Sequence, residues 1–149
     1  MFAITGLDPS LFAPHFTGAL PDGARKVVAD GPGYPCRVSL VDAAPGEELV
    51  LLPYTHHDVA SPYRAAGPIY VRLAATAAAR FVDEVPPVIA RRLVSVRAYR
   101  ADGEMLDAEV VQGAELAALV ARFFADAAVA YLHVHNARPG CFAARVDRH

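Results

Sequence analysis

The chain is poor in the residues that announce common site chemistries. It has no tryptophan, two cysteines, two methionines and, among 14 basic residues, a single lysine, Lys26. Cys36 and Cys141 lie far apart and form no CxxC or zinc-ribbon spacing, so the sequence signatures of a redox dithiol and of a structural zinc are both missing. No apolar run reaches the roughly 18 residues that a membrane-spanning helix needs. Only 20% of residues are charged and the formal net charge is -2. That balance argues against a nucleic-acid partner, whose proteins carry a basic patch. The opening MFAITGLDPS has no basic leader and no long apolar segment, which predicts a cytoplasmic protein with reduced thiols. Motifs for dinucleotides, phosphate loops, serine elbows and zinc proteases are also absent, and no cofactor is expected.

What remains is apolar and rich in turns. With 149 residues, 54% of them hydrophobic, the chain can bury a real core without a disulfide or metal staple, and a single domain over 1–149 is expected. Asp8-Pro9 reads as a helix cap followed by proline in the first turn. Lys26–Ala29 and Arg37–Val41 read as short strands. Glu48–Pro53 is nearly all apolar, as a central strand with both faces covered would be. Thr55–Gly67 reads as a polar loop, and Ala74–Asp83 as an alanine-rich helix ended by Pro86-Pro87, with a short helix from there to Arg92. Leu93–Arg100 and Met105–Val111 flank a turn and form a hairpin. Leu116, Leu119, Val120 and Phe123 give 114–126 one apolar face at helical spacing. Val129–His135 and Cys141–Asp147 form the closing hairpin. The sum predicts an α+β fold: a mostly antiparallel sheet of short strands and hairpins with one main amphipathic helix.

Three blocks, YPCRVSL, APGEELVLLPYTHHDVASPYRAAGPIYVR and AYLHVHNARPGCFAARVDR, resemble a bacterial family known as domain of unknown function 1203. The resemblance runs from about Tyr34 to Arg148 and implies no activity. It directs attention to Cys36-Arg37, to Tyr54–Arg72 and to Tyr131–Arg145.

Within these blocks the chemistry is imidazole, guanidinium and phenol. Side chains two apart share one face of a strand, so Tyr131, His133 and His135 form one row, and Leu132 and Val134, with Phe142 and Val146 of the last strand, face the core. The row resembles half a metal site, but a cupin needs a glutamate soon afterwards and a histidine-triad hydrolase needs histidine where Tyr131 stands. His133, His135 and His57 are the candidate proton carriers, His57 with Asp58 beside it. Tyr63, Arg64, Tyr70 and Arg72 fall within ten residues and suit a carboxylate or phosphate. Arg37, Arg145 and Asn136 complete the candidate ligand set. Cys36 and Cys141 read first as buried packing. The best reading is a protein that binds a small anionic or polar metabolite, with its chemical transformation left open. The alternatives are a homodimeric interaction module without catalysis and, behind it, a mononuclear metal enzyme.

Overall fold

The hydrophobic alternation of the chain resolves into two antiparallel sheets, described for Met1–His149 by a computed structural model. The larger sheet contains β1 (Phe2–Thr5), β5 (Arg80–Val82), β6 (Leu93–Tyr99), β7 (Met105–Gln112), β8 (Tyr131–Asn136) and β9 (Phe142–Arg148), in the order β5-β1-β9-β8-β6-β7. The smaller contains β2 (Arg25–Val28), β3 (Glu48–His57) and β4 (Ala65–Arg72), with β3 in the middle. Three short α-helices complete the fold: α1 (Ala13–Thr17), α2 (Pro87–Ala90) and α3 (Leu116–Phe124). The α+β class and the antiparallel pairing expected from the hairpins are therefore what the chain adopts. No helix is long and apolar enough to cross a membrane.

The apolar face of α3 is the one its spacing defines. Leu116, Leu119, Val120 and Phe123 are buried against Val94, Val96, Leu132, Val134 and Val146 of the large sheet. Alternation then sends Tyr99, Tyr131, His133 and His135 to the opposite face, toward β3. A second core joins Phe12, Cys36 and Val38 to Val50, Leu52, Ile69 and Val71 of the small sheet.

Four local expectations are corrected. Arg37–Val41 is not a strand: the chain turns at Arg37–Ser39, Leu40 N–H donates to the Cys36 carbonyl, and Leu40 takes a left-handed φ of 51°. The 55–67 stretch is not all loop, because β3 continues through His57 across a register shift after Tyr54. Ala74–Asp83 is not helical. Arg80–Val82 pairs with β1, and Asp83 locks that pairing with its backbone N–H on the Phe2 carbonyl and its carboxylate on the Phe2 N–H. Pairing to an existing sheet outweighs alanine's helix preference here. Phe142 does not join the α3 core: a register shift between Val134 and His135 turns it to the histidine face.

Candidate functional site

The turn that replaces the expected Arg37–Val41 strand has a chemical consequence. It folds Arg37 inward until only 2% of its surface is exposed. Its Nε donates to the Phe142 carbonyl at 2.7 Å, Nη1 to the Pro35 carbonyl and Nη2 to Cys141 Sγ at 3.0 Å. No carboxylate neutralises it. Burial pulls its pKa below the ordinary arginine value, while the Cys141 sulfur opposes that shift. A guanidinium is so strong a base that it stays charged nonetheless, and a buried cation without an anion is costly.

Two further segments converge on it. The link of the closing hairpin is pinned by Gly140 N–H on the Asn136 carbonyl and Asn136 N–H on the Cys141 carbonyl, with Gly140 at φ 82°. This carries Asn136, Arg138, Pro139 and Cys141 to the same place. Pro86-Pro87 starts α2, whose end delivers Arg91 and Arg92. Asp42 pairs with both, at 2.8 Å to Arg92.

These segments enclose a cleft of about 780 Å³. Its wall carries Arg37, Arg91, Arg92 and Arg138, the amides Gln112 and Asn136, the Cys141 thiol and an apolar side that includes Leu51 and Tyr70; no Asp or Glu lines it. Asp42 offsets one of the four cations, and Arg138 has no acidic partner.

The histidine row is separate from the cleft wall. His57 is held from both ends: Nδ1 lies 2.8 Å from the Tyr63 carbonyl and Nε2 lies 2.7 Å from the Tyr131 hydroxyl. A carbonyl only accepts, so Nδ1 carries the proton and Nε2 takes the Tyr131 O–H. His135 Nδ1 donates to the Gly140 carbonyl at 3.0 Å. Its Nε2, like Nδ1 of His56 and of His133, is buried without a partner. Burial, reinforced by neighbouring cations and imidazoles, depresses these groups: His56 and His135 to about 4, and His133 to about 2. All three are neutral near pH 7. The Phe142 ring stands among His56, His133 and His135 at centroid separations of 5.3, 5.1 and 5.8 Å. No group of three or more His, Cys, Asp or Glu side chains is arranged to hold a metal ion.

Tyr131 is the hinge of this packing, and its hydroxyl can be tested by itself. Tyr131→Phe leaves His57 Nε2 buried without a donor and is expected to cost about 1–3 kcal/mol. Urea unfolding of the variant reads this directly; unchanged stability would mean that His57 does not depend on the hydroxyl.

Of the residues chosen from the sequence, Arg37, Tyr70 and Asn136 meet in the cleft. The others lie elsewhere. Arg64 pairs with Asp58 at 3.0 Å in solvent, and Tyr63 is exposed with its carbonyl on His57. Arg72 holds Glu47 and Ser39 across the small sheet. Arg145 lies over the Tyr131 ring at 4.1 Å and pairs with Asp147. His57, His133 and His135 are buried in the aromatic layer, outside the cleft lining. Sequence reasoning did not select Arg91, Arg92 or Arg138, and it favoured a buried Cys141 that is in fact half-buried. One signal was present: Arg138 immediately precedes Pro139-Gly140, and Arg91 and Arg92 lie at the end of the short helix that Pro86-Pro87 starts.

No curated protein and no solved structure matches the chain. A family model does, over residues 33–148, so that Arg37, Tyr70, Arg91, Arg92, Asn136, Arg138 and Cys141 all fall inside the match. With most of its length covered, the chain belongs to the family described as Protein of unknown function (DUF1203).

Proposed function

We propose that the protein binds a small anionic metabolite in the arginine-lined cleft. The observation that carries this reading is Arg37, a buried guanidinium on the cleft wall with no carboxylate partner. An anion entering the cleft supplies the missing charge, and guanidinium forks favour carboxylate and phosphate over neutral groups. The volume lies inside the range of about 300–1,000 Å³ common to small-molecule sites. Tyr70 and Leu51 offer an apolar surface for the body of the ligand, and Gln112 and Asn136 offer amides for its polar substituents.

Thermal unfolding with inorganic phosphate, succinate and a neutral diamide tests the reading. A ligand at a hundred times its Kd stabilises by about 2.7 kcal/mol, or roughly 5–10 °C for a chain of this size. One or both anions are expected to raise Tm and the diamide is not. Arg138→Ala, which breaks no ion pair, is expected to shrink the rise, while Arg64→Ala is expected to leave it unchanged. No rise with either anion overturns the reading.

A further inference from the structure

We propose that Cys141 is the nucleophile of this cleft and that it forms mixed disulfides with small carboxylate-bearing thiols, taking low-molecular-weight anionic disulfides as substrates. The proposal rests on the reading of the cleft as an anion site and names the chemistry of that site.

The two cysteines are placed in opposite ways. Cys36 is 1% exposed, packed in the core of the small sheet, and its sulfur accepts backbone N–H groups of Ser39 and Arg72. Cys141 is half-buried, immediately precedes β9 and lines the cleft. Its sulfur receives Nη2 of Arg37 at 3.0 Å and faces Nδ2 of Asn136 at 3.6 Å. Both neighbours are donors, and one is a buried permanent cation. Thiol–disulfide exchange runs through a thiolate, and here two N–H donors are aimed at the sulfur that would carry the charge. The cysteine is therefore one part of a built site that also holds a cavity, a cation without a carboxylate and three further arginines, Arg91, Arg92 and Arg138. The arginines that would hold the carboxylates of a disulfide line the same cleft as the sulfur that would attack it.

The exchange balances without an added oxidant. The Cys141 thiol gives its proton to solvent. Its sulfur donates an electron pair to one sulfur of the bound disulfide, and the S–S bond of that disulfide breaks. The second half leaves as a thiolate and takes a proton from solvent. Cys141 is oxidised to a mixed disulfide and the departing half is reduced to a thiol.

The test compares two chromogenic disulfides, anionic dithiobis-nitrobenzoate and neutral dithiodipyridine, on the full chain, with a free cysteine amide as the reference thiol. Adducts are mapped by mass spectrometry on the wild-type chain, so assignment does not depend on any variant folding. One equivalent is expected to react rapidly, at Cys141, with Cys36 unmodified until the chain is unfolded. The ratio of anionic to neutral rate is expected to exceed that of the reference thiol by on the order of tenfold, within the range charged clefts give to association. The excess should shrink as salt is added and in Arg138→Ala. A ratio equal to the reference, or modification of Cys36 first, overturns the proposal. If succinate still raises Tm in that case, the anion cleft stands and only the thiol chemistry falls; if no anion raises Tm, the cleft reading has fallen as well.

Discussion

Replacing Gly113 with alanine is expected to destabilise the chain by about 3 kcal/mol or more, a fall in Tm of roughly 10 °C. Gly113 joins β7 to the turn that starts α3, and it is packed against the end of α2. A Cβ built there lies 1.9 Å from the Ile89 carbonyl oxygen, 2.8 Å from its carbon and 2.9 Å from the Arg92 oxygen. All three atoms are backbone, so no rotamer change relieves the overlap. The Gly113 N–H also donates to the Arg92 carbonyl at 2.7 Å, which holds the two segments together at that distance. Alanine must push α2 away from β7, against a core that includes Val88 and Ile89. The loss is a large share of the roughly 5–15 kcal/mol that holds a typical domain. Gly31→Ala is the control, because nothing lies within 4 Å of its Cβ position; it is expected to be neutral or slightly stabilising. Urea unfolding of both variants decides the matter, and a Gly113→Ala chain within 0.5 kcal/mol of wild type, the usual scatter of surface substitutions, overturns the steric argument. The same displacement moves Arg91 and Arg92, so the response to anions should weaken along with stability.

That coupling explains why the fold was more legible than the site. Elements that depend on local period were readable: the Leu116, Leu119, Val120 and Phe123 face of α3, the β6–β7 hairpin, and the alternation that separates Leu132 and Val134 from His133 and His135. Elements that depend on a distant partner were not. Arg80–Val82 is a strand because β1 pairs with it, and nothing in its alanine-rich surroundings encodes that partner. Arg37–Val41 alternates like a strand but closes as a turn. The cleft is the extreme case. Residues 33–37, 91–93 and 136–141 meet only in three dimensions, whereas Tyr63, Arg64 and Arg72 looked like a clamp because they are close in sequence. Two of them spend their charge locally, on Asp58 and Glu47. Arg64 and Arg72 are structural ties to their carboxylates, whereas Arg37, buried on the cleft wall, has none.

The histidine layer makes the second large prediction, a steep loss of stability in acid. In the folded chain His133 and His135 are 2% and 1% exposed. They face His56 and His57 from β3, Arg97 and Tyr99 from β6, and Phe142 and Arg145 from β9. None of these neighbours is an acid that would welcome an imidazolium. Both folded values are depressed, to about 2 and about 4, while an unfolded histidine titrates near 6.5. The unfolded chain therefore binds more protons below pH 6.5, and stability falls as pH falls. The contribution is complete above the unfolded value, declines from there, and stops declining for each group once its folded value is passed. Each such histidine removes up to about 1.4 kcal/mol per pH unit within its window, so the pair together removes up to about 3 kcal/mol per unit between roughly pH 6 and pH 4. The Asp42–Arg92 salt bridge begins to fail only nearer the carboxylate range, because its two arginine partners hold Asp42 below the ordinary value. Urea unfolding at half-unit steps from pH 7.5 to pH 4 measures the slope. The His133→Phe, His135→Phe chain is expected to lose most of the slope above pH 4.5, even where its stability at pH 7.5 is lower. A slope unchanged in that chain would mean that acid acts elsewhere and that the buried imidazoles are protonated without penalty.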